Sequence, residues 1–179
     1  QLPDRTDNAF WTGMTLAQRR PYREHASTVA SLLQKSPVLG PMEVRRMLEG
    51  QAVRLACTRR TADNIREITA ILEETNKRLS KKQSIEREDE AFHLAIFAAT
   101  KNDILLRVAR SFYELSRHRR KVYFADQNRG RQSYEDHCTI LEAIEERRVG
   151  LAEQQMNAHL SRTVEAWQSL LGETKVTKR

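Results

Sequence analysis

The chain has 179 residues, of which 39% are hydrophobic, 31% are charged and 6% are aromatic. This length suits one domain with its own core, and so many charged and so few aromatic residues disfavour a β-sandwich and favour helices with solvated outer faces. The net charge of +7 is compatible with anionic ligands or nucleic acid, but it is modest for a chain of this size. No run of about 18 apolar residues predicts a membrane span, no signal peptide is apparent, and two cysteines are too few for a disulfide framework. We therefore expect a cytoplasmic protein whose thiols, Cys57 and Cys138, are reduced and at least half-buried.

Prolines divide the chain into two regions. All four lie in the first quarter, and none follows Pro41. Because proline breaks helix interiors, the long proline-free region permits a nearly all-helical domain. We predict a linker or N-terminal arm at residues 1–27, a helical domain at 28–171 and a polar tail at 172–179. Since the chain begins with Gln1 rather than methionine, we also expect it to be a fragment of a longer protein.

The first half of the helical region has the apolar periodicity of four helices. They are predicted at 28–34, at about 43–59, from an N-cap at Thr61 to the lysine-rich stretch 77–82, and from Ser84 onward. The buried stripe of the second helix is predicted to contain Val44, Met47, Leu48, Leu55 and Ala56. That of the fourth is predicted to contain Phe92, Ala95, Ile96 and Ala99.

The fifth predicted helix runs from Ile104 to about Phe124. Its apolar stripe consists of Leu105, Val108, Phe112 and Leu115. Its second half is strongly basic, with the run Arg117-His118-Arg119-Arg120-Lys121. Taken alone, that run is typical of a solvated basic face.

The last two predicted helices follow a polar loop at 126–131. Ser133 and Asp136 have the spacing of a capping box that opens the sixth helix. This helix ends near Gly150, and the seventh covers about 151–171. The connections are short enough for antiparallel neighbours, so the sequence predicts an all-α fold, an antiparallel bundle of six or seven helices.

A carboxylate and an imidazole stand four residues apart at Asp89 and His93, within the fourth predicted helix. This spacing places both side chains on one helix face, where they can hold one metal ion. His137 and His159 lie on apolar faces of the sixth and seventh predicted helices. We predict that the four side chains converge inside the bundle and hold a divalent metal ion, which would satisfy these buried polar groups together.

The alternative is that the three histidines are half-buried, hydrogen-bonded and purely structural. An aspartate with three histidines lacks the thiolates of structural zinc sites, and an octahedral arrangement would leave two positions open. Such a set suits zinc first, with nickel or manganese as alternatives. Three further residues are not counted as ligands: His25 in the arm, His118 in the basic run, and Cys138, which points roughly 100° around the helix from its neighbour His137.

Arg45 lies at the edge of the apolar face of the second predicted helix. As a structural residue it would pair with Glu49 or extend towards solvent. As a functional residue its planar guanidinium would clamp the carboxylate of a small acid. Arg117, Arg120 and Lys121 would add to such a pocket.

Four short motifs occur in order along the chain. They are Glu43-Val44-Arg45-Arg46-Met47-Leu48-Glu49 followed by Ala52-x-x-Leu55-Ala56, Asp89-x-x-Phe92-His93 followed by Ala98-x-x-x-Asn102, His137-x-x-Ile140-Leu141-x-Ala143-Ile144, and Met156-x-x-His159-Leu160. Their order and spacing, over residues 43 to about 167, resemble the FCD domain, the ligand-sensing C-terminal domain of FadR-type regulators in the GntR superfamily. Each motif alone is weak, whereas four in this order are specific.

This resemblance implies a helical bundle that holds a metal ion through Asp89, His93, His137 and His159. It also implies a small organic acid as the effector, such as a hydroxy acid, a dicarboxylate or a sugar acid. Arg45 matches the family arginine that faces this pocket, and Asn102 matches a position that lines the site or caps the fifth helix. Members of the family form homodimers, in which effector binding changes how two DNA-binding domains sit on an operator.

The residues before Glu43 are too few, and too broken by proline and glycine, for the winged helix-turn-helix domain that precedes the FCD domain in this family. We therefore expect DNA binding to depend on a segment absent from this chain. The favoured function is the effector-binding and dimerisation domain of a transcription regulator rather than an enzyme. Two alternatives stay open. One is a metal-dependent hydrolase, although no general base is apparent, because Glu88 and Glu90 point to other helix faces than Asp89. The other is a helical interaction module with structural histidines.

Overall fold

The computed structural model describes residues 39–170, which form six α-helices and no strand. The helices are α1 (Leu39–Arg59), α2 (Ala62–Ser80), α3 (Glu86–Ala99), α4 (Asp103–Tyr123), α5 (Gln127–Glu145) and α6 (Val149–Leu170). Consecutive helices are joined by two to five residues, and the all-α prediction is confirmed. The predicted arm, the short helix at 28–34 and the tail at 172–179 lie outside the described residues. None of the six helices is long and apolar enough to cross a membrane.

The start of α2 confirms the predicted N-cap. The side chain of Thr61 accepts a hydrogen bond from the backbone N–H of Asn64, and Asn64 Oδ1 accepts one from the backbone N–H of Thr61 at 3.1 Å. This reciprocal capping box satisfies two of the backbone donors that every helix start leaves without a partner. The helix therefore begins where its first polar pair can cap it.

The start of α5 differs from the prediction. The helix begins at Gln127, and Asp126 is its N-cap, accepting from the N–H of Asn128 at 2.8 Å. The predicted loop at 126–131 and the predicted capping box at Ser133 and Asp136 are therefore wrong, because both stretches are helical.

Gly130 explains this error in physical terms. A Cβ at this position would lie 3.2 Å from Leu79 Cδ2 and 3.6 Å from Ile85 Cγ1. The glycine therefore lets α5 approach the end of α2 and the connection to α3 closely, and it does not serve a turn. Sequence patterns treat a glycine among polar residues as a loop signal, since they carry no information about such a neighbour.

The buried face of α1 differs from the prediction at two residues. Val44 and Met47 are 45% and 73% exposed, whereas Arg45 and Glu49 are 6% and 2% exposed. The same correction applies to α4, where Val108 is 48% exposed. On α1 the inner face carries a charged pair inside the bundle, so the predicted stripe is wrong at Val44 and Met47. The same prediction is confirmed at Ala56, which is fully buried, and at Leu48, which packs against the core. The side chain of Leu115, also predicted to be buried, lies outside the described side chains.

The core of the bundle is formed mainly by α1, α3, α5 and α6. The predicted inward residues of α3 are all buried, namely Phe92, Ala95, Ile96 and Ala99. They pack with Ile140 and Ile144 of α5 and with Met156 and Leu160 of α6. Phe92 also stacks on His137, with ring centroids 3.9 Å apart and an interplanar angle of 9°. This packing brings the polar residues of three helices to the middle of an apolar core.

Candidate metal centre

The three helices that line the centre of the bundle supply four polar side chains to one point. Helix α3 carries Asp89 and His93, α5 carries His137, and α6 carries His159. All four are at most 2% exposed, and one ligand atom from each lies within 4.8 Å of all the others. Two atoms bound to the same ion at about 2.0–2.2 Å lie at most about 4.4 Å apart, so a shift of a few tenths of an ångström would close the group around an ion.

Buried atoms without partners mark the centre of this group. Asp89 Oδ1 lies 3.6 Å from Nε2 of His93 and 3.6 Å from Nε2 of His137, which is too far for good hydrogen bonds. Asp89 Oδ2 and His137 Nε2 have no hydrogen-bond partner among the described residues. Because nearly all buried polar atoms in proteins have a partner, these orphaned atoms fit a ligand set for a cation. Three imidazoles and one carboxylate are donors that suit zinc, nickel and manganese.

The electrostatics favour the protonation states that bind a metal. Burial raises the pKa of Asp89, but His93, Arg45 and His137 outweigh burial and hold that pKa well below its usual range. Burial lowers the pKa of His137 well below its usual value, and the neighbouring histidines His159 and His93 lower it further. Burial also lowers the pKa of His159, although Asp136 opposes the shift. Burial lowers the pKa of His93, but Glu49 and Asp89 outweigh it and raise that pKa. At neutral pH the group therefore offers an ionised carboxylate and the neutral imidazoles of His137 and His159, which are the forms that bind a metal ion, whereas at His93 the ion competes with a proton.

A fifth buried residue, Glu49 of α1, contacts this group and was missed as a site residue by sequence reasoning. Its Oε2 lies 2.5 Å from His93 Nδ1. Its Oε1 accepts from Arg45 Nε at 2.5 Å and from the hydroxyl of Tyr113 at 2.6 Å. Burial raises the pKa of Glu49, but Arg45 and His93 outweigh it and lower the pKa to about 2. The four-residue spacing from Arg45 predicted only the ion pair, because the contact with α3 depends on how α1 is rotated in the bundle.

A second missed residue is Asp136, one position before His137 in α5. Its Oδ2 lies 3.1 Å from His159 Nδ1. The same carboxylate accepts from Arg162 through Nε at 3.1 Å and through Nη2 at 2.5 Å. Asp136 immediately precedes the motif that begins at His137, but its partner His159 is on a different helix, and no local pattern signals that contact.

A basic cleft lies beside the four ligands. Two small openings, both partly open to solvent, share Arg45, Arg120 and Trp167 in their walls. The smaller one also reaches Asp89 and His159. The guanidinium carbons of Arg45 and Arg120 lie 5.3 and 4.9 Å from the ring centre of Tyr113, within the range of cation–π contacts. The cleft therefore places two positive charges next to the candidate ligands.

The other predicted pocket residues lie elsewhere. Arg117 is exposed on α4, and Lys121 is exposed as well. Asn102 is the N-cap of α4, where its side chain accepts from the N–H of Leu105 at 3.1 Å. None of these three lines either opening, so the structure brings only Arg45 and Arg120 of the predicted basic residues to the cleft. Effector roles for Arg117 and Asn102 stay predictions.

Comparison with known proteins places the bundle in a family. The family model of the FCD domain matches residues 42–162, which contain all four candidate ligands. The chain belongs to the FCD domain family. The resemblance drawn from the four sequence motifs is therefore confirmed, and with it the interpretation of the bundle as a ligand-sensing regulator domain.

Two curated relatives are transcription regulators. The chain is 31% identical over 139 residues to the HTH-type transcriptional regulator LutR of Bacillus subtilis strain 168, which covers 75% of this chain and 64% of that protein. It is 29% identical over 133 residues to the Uxu operon regulator of Haemophilus influenzae, covering 69% of this chain and 50% of that protein. The matched FCD region thus spans about half to two thirds of the length of these relatives.

Two solved structures share the fold. A GntR-family transcriptional regulator from Pseudomonas syringae pv. tomato DC3000 aligns with a TM-score of 0.62 at 22% identity, over 76% of this chain and 60% of that chain. E. coli McbR/YncC aligns with a TM-score of 0.69 at 17% identity, over 92% of this chain and 85% of that chain. At these identities the likeness concerns the FCD fold alone.

Proposed function

We propose that this FCD domain is the effector-binding and dimerisation domain of a GntR/FadR-type transcription regulator, and that it binds a divalent metal ion together with a small organic acid. The observation that carries the proposal is the buried group of Asp89, His93, His137 and His159, which opens onto a cleft lined by two arginines. A buried cation site next to a basic cleft is the chemistry that recognises a carboxylate.

The metal ion would be held by the one aspartate and three histidines, with zinc as the first choice and nickel or manganese as alternatives. When bound, the ion supplies positive charge and open coordination positions to an anionic ligand. The chain's own contribution is to hold an ionised carboxylate and three imidazoles in an apolar core, where water competes little for the ion.

The organic acid would enter the cleft from the side of Trp167. Arg45 and Arg120 present guanidinium groups there, and planar guanidinium groups bind carboxylates through paired hydrogen bonds. Arg120 is held in place by the carbonyl of Tyr113 at 2.6 Å, by Ser116 Oγ at 2.8 Å and by an ion pair with Glu90. Such a pre-positioned cation loses little entropy when it binds the acid.

Dimerisation and DNA binding complete the proposal. Five large apolar side chains are exposed on two helices, Val44 and Met47 on α1 and Ile104, Val108 and Val122 on α4. A homodimer that covers them would remove this apolar surface from water. DNA binding would reside in a winged helix-turn-helix domain absent from this chain, and the acid would act by favouring one arrangement of the dimer.

The hydrolase alternative gains no support from the acids that flank Asp89. Glu88 pairs with Arg78 at 3.1 Å, and Glu90 pairs with Arg120. A general base must reach a metal-bound water with its carboxylate, and both of these carboxylates are engaged by arginines instead.

The first experiment is elemental analysis of protein purified without chelator and without a metal-affinity column. We expect about one equivalent of zinc, nickel or manganese per chain. Thermal-shift titration then follows, with glycolate, malate and gluconate as probes for a hydroxy acid, a dicarboxylate and a sugar acid. At least one probe should raise the melting temperature of the metal-loaded protein more than that of EDTA-treated protein. Protein that contains no metal and takes up none on titration would refute the proposed metal site.

A further inference from the structure

Two of the three candidate metal-binding histidines have a carboxylate at the same ring nitrogen. Glu49 Oε2 lies 2.5 Å from His93 Nδ1, and Asp136 Oδ2 lies 3.1 Å from His159 Nδ1. Each carboxylate comes from a different helix than its histidine, α1 to α3 and α5 to α6. Both carboxylates are buried, at 2% and 7% exposure.

A carboxylate at Nδ1 determines which nitrogen of an imidazole binds a metal. It favours a proton on Nδ1, so the lone pair is on Nε2. For His93 a further contact agrees, because Arg45 Nη2 lies 2.9 Å from Nε2 and a guanidinium can only donate. The same His93 Nε2 lies 3.6 Å from Asp89 Oδ1, so it is the ring nitrogen on the side of the candidate ligand group, and a bound ion would take the place of the Arg45 contact.

The two carboxylates are themselves held by other groups. Glu49 accepts from Arg45 and Tyr113, and Asp136 is held by both Nε and Nη2 of Arg162. Each carboxylate therefore has a fixed orientation before any ligand arrives. The third histidine is held differently, since its ring stacks on Phe92.

We propose that Glu49 and Asp136 are positioning residues of the metal site, which fix the tautomer and ring orientation of His93 and His159 without binding the ion. This inference rests on the proposed metal site. Glu49 also contacts both His93, a candidate metal ligand, and Arg45 of the acid cleft. One side chain therefore links the metal site to the acid cleft.

The test compares Glu49→Gln and Asp136→Asn with two matched controls. Glu43→Gln and Glu135→Gln remove an exposed acid from the same helices, α1 and α5. Zinc affinity is measured by competition with a chelating indicator. We expect the two inner variants, Glu49→Gln and Asp136→Asn, to bind zinc roughly 10- to 100-fold more weakly than wild type, which is the usual effect of removing a hydrogen-bond partner of a metal ligand. The zinc affinity of the two control variants should stay within about twofold of wild type.

A second readout separates positioning from general stability. The visible absorption of cobalt(II) reports ligand geometry, so at saturating cobalt the two inner variants should show shifted or weakened bands, and the controls should not. Weaker zinc binding with an unchanged cobalt spectrum would overturn the positioning role. Unchanged zinc affinity in both variants would overturn it as well.

Folding and the underlying proposal are tested separately. Helical content and the unfolding midpoint are measured in EDTA, and if Glu49→Gln fails to fold, Asp136→Asn decides the question, because its partner Arg162 is partly exposed. If wild type itself takes up no zinc or cobalt, the proposed function fails. If wild type binds and the inner variants match it, only the positioning role fails.

Discussion

Arg45 and His93 are 48 positions apart in the chain, yet Arg45 Nη2 lies 2.9 Å from His93 Nε2. The same arginine donates through Nε to Glu49 and lines the cleft beside the candidate metal ligands. The guanidinium of Arg45 therefore contacts both the candidate metal site and the cleft. Burial lowers the pKa of Arg45, but Glu49 and other neighbours outweigh it, and the guanidinium stays protonated. This relationship makes Arg45 the residue through which acid binding is most directly tested.

We expect Arg45→Met to weaken binding of the organic acid roughly tenfold to hundredfold while zinc content stays near one equivalent. Hydrogen bonds to charged groups contribute about 1.5–3 kcal/mol each, and arginine is not among the four ligands. Acid affinity is measured by calorimetry on zinc-loaded protein, with the probe that gives the largest thermal shift. Arg46→Met is the matched control, because Arg46 is exposed next to it. An unchanged acid affinity in Arg45→Met would show that the clamp role is wrong.

We expect His137→Ala and Asp89→Ala each to lower zinc content well below one equivalent and to weaken acid binding. Each change removes one ligand from a set of four, so the loss should exceed the roughly 10- to 100-fold typical of an outer partner. His118→Ala removes an exposed histidine of α4 and should retain full zinc content. Zinc is measured by elemental analysis after dialysis against metal-free buffer. Full zinc occupancy in both variants would show that neither His137 nor Asp89 binds the ion.

Two glycines should respond in opposite ways to alanine. Gly150 lies exposed near the start of α6, and an added Cβ would meet nothing within 4 Å. Gly150→Ala should therefore raise the free energy of unfolding by about 0.4–1 kcal/mol, since alanine restricts the unfolded chain. Gly130→Ala should lower it by about 1 kcal/mol, because the new Cβ would lie 3.2 Å from Leu79 Cδ2 in a buried contact. Urea unfolding of both variants gives the values, and a stabilised Gly130→Ala would show that this contact relaxes easily.

The two thiols should differ in reactivity. Cys57 is fully buried and its thiol lies 4.0 Å from the carbonyl oxygen of Ala143, whereas Cys138 is only half-buried. Burial raises the pKa of both thiols, so each should react more slowly than a free cysteine. We expect one thiol per chain to react with DTNB at pH 8 in the folded protein and two in urea. Cys138→Ser should abolish the native reaction and Cys57→Ala should leave it intact, and the reverse would contradict the structure.

The helices and the four candidate ligand residues were largely accessible from the sequence. Apolar periodicity and capping residues act within a few positions, so they located α2 from Thr61 and the inward face of α3 from Phe92 to Ala99. The four-residue spacing of Asp89 and His93 is a property of one helix, and it does not depend on any other. Each later histidine could be assigned to an apolar face for the same reason.

Contacts between helices were not accessible in this way. The rotation of α1 buries Arg45 and Glu49 and leaves Met47 in solvent, whereas the apolar pattern predicts that Met47 is buried and places Arg45 only at the edge of the buried face. The sequence predicts a loop around Gly130, because only its contact with Leu79 shows why a glycine is needed inside α5.

The sequence by itself determined an all-α chain and four side chains able to hold a metal ion, because helical spacing is a local property of the backbone. Only the tertiary structure decided that Glu49 and Asp136 lie against the histidines and that Arg45 and Arg120 share a cleft. These contacts join residues at least 23 positions apart. They depend on how far each helix is rotated and how closely it packs. A charged residue on an inner helix face is stable only if a partner from another helix meets it, and that partner is set by packing rather than by sequence spacing.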